Sequence, residues 1–399
     1  MISRNTLYHL ILSLSLTAVS SFAAAQSEGV SVVDYLPAPG QFVNTLPSYS
    51  EDDTKAEIIE KANTSLANGS LLHLGTYGGY IVFEFDDAVE NKTGSDFLIN
   101  GNAFYAAADP IYGSATIGGS IEPGIVYVGV GDNLEDAEWY ELAGSEYYTT
   151  EIHDFSITYH KPTAESGEHS QFCSVYDNYI YYECSWTDPA TGERRDSTGY
   201  HIKNSFHKQT YWPGWIDDET MTFSGGKLPN NAIETSGKGT YWVQYRYAAD
   251  SFGYVDAAPN SPSSDDNNSA GVNRYNTFDI DWAVDNNGIR IGEQIKSVKF
   301  VKVVCGIFQY CGWLGETSTE IAKVQNLHQI DGYDDDPITW DIAWPEESKP
   351  KTEDSNPSSL STPQVEQRTD GASYDLTGRR ITSPRGLYIQ NGRLKIRRN

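Results

Sequence analysis

The sequence predicts an all-β protein, a β-sandwich with long loops, one short helix and a small C-terminal β module. Three observations carry this. Short runs alternate apolar and polar residues with period 2 and are bounded by Gly, Asp and Asn, the pattern of half-buried strands. Aromatic residues are abundant, with 27 Tyr, 14 Phe and 9 Trp, against only 2 Met, while 35 Gly supply tight turns. Long Leu- or Ala-rich helical stretches are few.

The stretch Leu74 to Phe104 followed by Glu122 to Val130 is the clearest strand region. Ile81, Phe83 and Phe85 share one face of the first run. Phe97 and Ile99 share a face in the second, and Val126, Val128 and Val130 in the third. Upstream, Gln26 to Pro47 reads as extended. Thr54 to Ala67 is expected to be the single helix: Asp52, Asp53 or Thr54 can cap it, Ile58, Ala62 and Leu66 recur at helical spacing, and Gly69 can end it. Further strands are expected over Glu138–Glu146, Ile152–Tyr159, Tyr241–Tyr247, Phe278–Asp285 and Ile295–Val304, with 160–210 irregular and Asp250–Asn273 an exposed loop. FDIDWAVD, Phe278 to Asp285, alternates most cleanly, which places Asp279, Asp281 and Asp285 on a solvated face.

Met1 to Ala25 has the charged start, apolar run and small-residue end of a secretory signal peptide. The expected organisation is a signal peptide over 1–25, a ligand-binding sandwich over 26–345, a disordered Ser/Pro/Glu/Thr-rich linker over 346–370 and a compact module over 371–399. Charge follows these divisions. The whole chain carries −27, but residues 26–370 carry −34 and 371–399 carry +6. The acidic body argues against nucleic acid or an anionic membrane as partner, and its bland meaning is solubility.

Export leads to an oxidising compartment, where the four cysteines are expected as two local pairs, Cys173 with Cys184 and Cys305 with Cys311. A zinc site is the competing reading of these cysteines. Two acidic groups suit calcium, which takes six to eight oxygens on a bent loop. One is Asp132, Asn133, Asp136 and Glu138 in GDNLEDAEW; the other is the rim set Asp86, Asp87, Asp96 and Glu122. An acidic turn is the plain alternative. For a ligand, Tyr211, Trp212 and Trp215 in YWPGW offer flat faces that stack on sugar rings, with core packing as the competing reading. No nucleophile or metalloprotease motif is present, so no catalytic residue is assigned.

The tail, with YDLTGRR from Tyr374, GLYI from Gly386 and NGR from Asn391, resembles the C-terminal sorting signal of the type IX secretion system of Bacteroidetes-type bacteria. The body is similar to a family of secreted or cell-surface proteins of the same bacteria, through VVDYLPAPGQFVN, LGTYGGYIVFEFD, LINGNAF, EPGIVYV, EWYELAGSEY, YWPGW, LPNNAIETSGKGTYWVQY, FDIDWAVD and QYCGWLGETSTEI. The strands resemble galactose-binding-like jelly rolls. This resemblance implies a non-catalytic ligand-binding protein at the outer-membrane surface, supporting capture of a glycan or a corrinoid. It implies type IX machinery and a TonB-dependent transporter as partners. The competing expectations are a glycan-degrading enzyme with paired carboxylates and a structural or adhesive surface protein.

Overall fold

The computed structural model describes residues 27, 29–105, 118–162, 176–204, 207, 210–239, 242–262 and 268–350, with strand segments beyond them. In chain order the elements are β1 (Val30–Leu36), α1 (Lys55–Ala67), β2 (Leu72–His73), β3 (Tyr80–Glu90), β4 (Phe97–Asn100), β5 (Phe104–Tyr105), β6 (Gly118–Ser120) and β7 (Gly124–Val130). There follow β8 (Glu138–Leu142), β9 (Ile152–His160), β10 (Tyr176–Thr187), β11 (Arg194–Asn204), β12 (Thr220–Lys227), β13 (Ala232–Glu234) and β14 (Trp242–Tyr245). The last of the body are β15 (Tyr254–Val255), β16 (Thr277–Phe278), β17 (Ala283–Val284), β18 (Ser297–Cys305), β19 (Glu320–Ile321) and β20 (Lys323–Asn326). The protein is all-β, a sandwich of antiparallel sheets.

The main sheet runs β1-β3-β18-β7-β8-β17, with β15 added beside β7. Its alternating residues point where the pattern requires: Ile81, Phe83, Phe85, Val126, Val128, Val301 and Val303 are buried in one core. The opposite wall of that core is the three-stranded sheet β16-β4-β20, through Phe97, Ile99, Phe278 and Val324. The helix closes it with Ile58, Ala62 and Leu66. Thr54 is its N-cap, in a capping box with Glu57, and Gly69 just beyond the end takes φ +64°.

A second sheet, β11-β10-β9-β12, has its own core. Phe155, Ile157, Tyr159, Ile180, Met221 and Phe223 point inward onto Ala38, Tyr77, Tyr211 and Trp212. Residues 160–210, expected to be irregular, hold the long β10–β11 hairpin, in register from Tyr176↔Asn204 to Thr187↔Arg194. Its alternation places Tyr and Cys inward and Tyr, Glu and Ser outward, so hydropathy barely oscillates although the pleat does.

Phe278–Asp285 is not one strand. A 3₁₀ turn over Ile280–Trp282 interrupts it, and Asp279 is buried, accepting from the Asp281 N–H at 2.8 Å. Ile280 and Trp282 within the turn and Phe278 and Val284 in the short strands flanking it are all buried, so the apolar spacing of two persists although the backbone is not continuously extended.

The chain divides between Pro350 and Lys351 into two compact units. The body passes the expected limit at 345: Ser348 is buried and its carbonyl accepts from Arg290 N–H at 2.8 Å. The C-terminal unit contains a four-stranded antiparallel sheet, β22-β21-β23-β24, from Ser373–Tyr374 (β21), Arg380–Ile381 (β22), Gly386–Gln390 (β23) and Arg393–Arg397 (β24). The signal-peptide segment lies outside the described residues.

Candidate functional site

Of the three aromatic residues expected to bind a ligand, Tyr211 is fully buried and Trp212 is 2% exposed. The Trp212 indole N–H donates to Ile216 O at 3.1 Å, so even its polar edge is used inside the fold. Trp215 is half-buried and packs against the core, its ring 6.1 Å from that of Tyr35 and 5.8 Å from that of Tyr49. The YWPGW segment is therefore a plug between sheets, not an exposed platform. Pro213 and Gly214 shape the chain to insert the rings rather than to display them.

The expected calcium sets are not assembled. Asp86 and Asp87 lie within β3, which extends to Glu90, and are exposed. Asp96 is fully buried elsewhere, accepting from Lys92 N–H at 2.9 Å and Ile280 N–H at 2.8 Å, with His328 Nε2 at 3.0 Å. Burial pushes the Asp96 carboxyl up, against the pull of His328 and those two N–H groups. Asp132, Asn133, Asp136 and Glu138 are all exposed around a 3₁₀ turn, and Glu138 accepts from Tyr140 OH at 2.8 Å. Glu122 instead joins Asp256 and Glu320. Among the described residues this is the one group of three acidic, His or Cys side chains whose ligand atoms all lie within 4.8 Å.

The disulfide expectation fails at Cys305 and Cys311. Both are buried free thiols, Cys305 Sγ 3.7 Å from Thr317 O and Cys311 Sγ 3.5 Å from Thr317 Oγ1. Burial pushes both up to about 12. Cys184 is also a free buried thiol, and Cys173 lies outside the described residues.

What is exposed is the outer face of the second sheet. Strand parity alone determines its members. Tyr181 is paired with Tyr200 across β10 and β11, and His160 with Thr220 across β9 and β12. Inward neighbours fill the core, so these side chains face out. Tyr200 is 45% exposed, its ring 5.7 Å from Tyr181 at 62°, and His160 lies 5.2 Å from Tyr181. These three rings, with Lys161, Glu219 and Thr220, line a surface cavity of about 630 Å³. Beyond it the face is rich in hydroxyls and acids: Thr158 and Thr222 hydroxyls meet at 2.8 Å, and Tyr181 OH donates to Glu183 at 3.2 Å. Aromatic faces beside fixed donors and acceptors can stack on an apolar ring plane and bond its hydroxyls.

Beneath this sheet lies a buried polar centre. His73 ends β2 directly opposite Glu320 of β19, and its Nδ1 is 2.5 Å from Glu320 Oε1 and 3.1 Å from Ser318 Oγ. Its Nε2 faces Glu316 Oε1 at 3.6 Å, while Glu316 Oε2 faces His201 Nε2 at 3.8 Å. Gln41 N–H donates to Glu316 Oε1 at 2.6 Å. Burial disfavours the His73 cation, but Glu316 and Glu320 outweigh it and raise the imidazole to about 9. Burial likewise opposes the Glu316 anion, but the facing His73 and His201 imidazoles hold it below its usual range. His201 is pushed down by burial.

Glu320 extends this centre to Asp256 and Glu122. Asp256 stands at φ +59°, and Asn102 and Ala103 N–H both donate to its Oδ1 at 2.7 Å, while Glu320 N–H donates to Oδ2 at 3.1 Å. Glu122 Oε1 accepts from Gln244 at 3.0 Å and from Ser318 N–H at 3.2 Å, and Oε2 from Ser120 Oγ at 3.3 Å. Burial, then the charge of Glu320, pushes both Glu122 and Asp256 well up, and Asp256 adds to the effect on Glu122.

Glu141 of β8 and Glu151 just before β9 are two further acids near one another, and burial followed by the Glu151 charge pushes the Glu141 carboxyl well up. Burial raises Glu151 to about 8.

No family model matches the chain, and no curated protein matches it either. Tyr181 escapes sequence reasoning because β10 carries aromatic residues on both faces, and Tyr200 because β11 is polar on both faces and shows no clear hydropathy alternation. The buried centre escapes it because its members are scattered from residue 73 to residue 320, and no local spacing joins them.

Proposed function

We propose that this is a non-catalytic glycan-binding protein of the bacterial outer-membrane surface, supporting nutrient capture, and that its ligand lies across the outer face of the second sheet. The observation that carries this reading is the cluster of Tyr200, Tyr181 and His160 over the cavity of about 630 Å³, on a sheet face otherwise lined by hydroxyl and carboxyl groups. Three features support it. The rings are held by strand pairing rather than by a loop, so little ordering is left for binding to supply. Tyr200 is exposed despite its size, and an exposed aromatic beside a concavity is characteristic of a contact surface. The surrounding groups suit sugar hydroxyls better than the largely apolar, macrocyclic face of a corrinoid.

Secretion, display through the C-terminal unit and delivery to a TonB-dependent transporter complete the proposal. The test is a glycan array followed by calorimetry on the best hit, with cobalamin as a parallel ligand. Saturable glycan binding that is lost in Tyr200→Ala, without product formation, supports the reading. Sugar release, or cobalamin binding with no glycan hit, overturns it.

A further inference from the structure

We infer that His201 is the positioning residue of the Tyr200 face: protonation of its buried imidazole loosens the end of β11 and releases the ligand. This rests on the reading that Tyr200 contacts a glycan. The argument begins with how little else ties β11 to the body. With Tyr200 outward, the inward positions are Arg195, Ser197, Gly199, His201 and Lys203. Among the described side chains of the strand His201 is the one that is buried, and every residue from Arg194 to Tyr200 is exposed or half-buried. Backbone pairing with β10 holds the rest, and it is interrupted at this point: the register shifts between Asn178 and Ile180, opposite Ile202 and His201. Such a bulge locally breaks the ladder, so more of the fastening there falls to the His201 side chain.

That side chain is poised rather than satisfied. His201 is 5% exposed, and its Nε2 faces Glu316 Oε2 at 3.8 Å, too long for a hydrogen bond. Neither atom has a hydrogen-bond partner. The other Glu316 oxygen is fixed in place. It accepts from Gln41 N–H at 2.6 Å, faces His73 Nε2 at 3.6 Å, and would lie 2.8 Å from a Cβ on Gly40. The buried ring of Tyr211 stands 5.7 Å from the imidazole and offers a cation no replacement for water.

The groups around His201 set the direction of the response. Burial opposes the imidazolium and outweighs the attraction of Glu316, which holds His201 below its ordinary range. His73, behind Glu316, is raised to about 9, so Glu316 already balances one cation. His207 is under the same two influences, and burial prevails there as well. Lys203, two residues along β11, is directed onto the Tyr179 ring at 4.7 Å. Once freed to solvent, the His201 ring takes a proton near the ordinary value of about 6.5, whereas the packed ring resists it. Below about pH 6.5 the loosened strand therefore binds a proton that the packed strand does not, and acid shifts the balance toward loosening. Above it both forms are neutral and the strand stays packed. Tyr200 is the next residue and moves with the strand, so a sugar stacked on it loses its platform.

The test uses the full chain. Affinity for the best glycan hit is followed by calorimetry from about pH 8 to about pH 5, the range in which histidine titrates. Hydrogen exchange of the ligand-free chain is followed over the same range by mass spectrometry, corrected for the intrinsic pH dependence of exchange. The expected result is a several-fold loss of affinity with falling pH, and exchange that rises in β11 around Tyr200 while β3 and β7 stay protected. Both pH dependences should disappear in His201→Gln and in His201→Phe, and whichever variant folds carries the test. His160 and His207 are the rival sources, so His160→Gln and His207→Gln should each keep the slope. Survival of the slope in a folded His201 variant, its loss in His160→Gln or His207→Gln, or native β11 exchange that ignores pH overturns the inference. Glycan binding without pH dependence also overturns it and leaves the glycan reading standing. Acid-sensitive β11 exchange that His201→Gln abolishes, in a chain that binds no glycan, overturns the glycan reading and supports the anchor.

Discussion

Tyr200 and His201 are consecutive on β11 and point to opposite faces of the second sheet: Tyr200 is 45% exposed beside the cavity, and His201 is 5% exposed against Glu316. The pleat of one strand thus separates the proposed ligand face from the buried polar centre by the thickness of a backbone. Substitutions at these two positions should therefore be separable in their effects.

Tyr200→Ala should weaken glycan binding by about tenfold, ~1.4 kcal/mol, with the melting temperature nearly unchanged, because the side chain packs little in the fold. Calorimetry and thermal unfolding on the same sample check both halves. Equal loss of binding and stability would place Tyr200 in the scaffold instead.

Trp212→Ala should behave in the opposite way. The side chain is 2% exposed and plugs the second core, so truncation should cost about 3–5 kcal/mol in urea unfolding. A stable variant that only loses ligand would restore Trp212 as a contact residue.

The Glu141–Glu151 pair makes stability fall as pH rises. Glu151 titrates at about 8 when folded, against an ordinary 4.5. Between those values the folded chain keeps a proton that the unfolded chain has lost, so the penalty grows through that window and reaches about 3–5 kcal/mol above it. Glu151→Gln should flatten the decline in melting temperature between pH 5 and 8. An equally steep decline in the variant would count against the pair as its source.

Cys305 and Cys311 should resist thiol reagents in the native protein and react once it is unfolded, because burial holds both thiols neutral and covered. Mass spectrometry after alkylation without reductant distinguishes this from the disulfide expected on spacing. An unlabelled, linked Cys305–Cys311 peptide would revive that disulfide.

Thr54→Ala should cost about 1 kcal/mol by removing the capping box with Glu57. Chemical denaturation is the measurement, and an unchanged midpoint would show that helix packing alone sets this end.

Local physics was legible wherever one signal acted alone. Helix α1 starts at the Thr54 cap and buries the predicted Ile58, Ala62 and Leu66, because capping and period 3.6 agree there. Strands β3 and β7 bury the predicted alternating residues because one face meets a core. The reading failed where two environments share one residue type. Tyr serves as core at Tyr159 and Tyr211 and as surface at Tyr200, and nothing in the letter distinguishes them. Acidic residues mislead in the same way. Asp132 and Asp136 look like ligands because they are neighbours in sequence, whereas Glu122, Asp256 and Glu320 become neighbours only through folding. The segments containing Gly40, Glu122 and Glu316 lie far apart in sequence and meet at the buried centre, which local pattern could not reveal.

The outermost strand of the second sheet has one more consequence. Strand β11 is an edge, and its near end carries Arg194 and Arg195, held by Asp154, Asp188 and Glu193. An open edge invites a strand from another molecule to add itself, and clustered charge discourages that addition. Copies crowded together would meet ionised side chains there rather than a vacant ladder. The aromatic patch on β10 and β11 can thus remain open to solvent without the sheet that bears it becoming a template for aggregation.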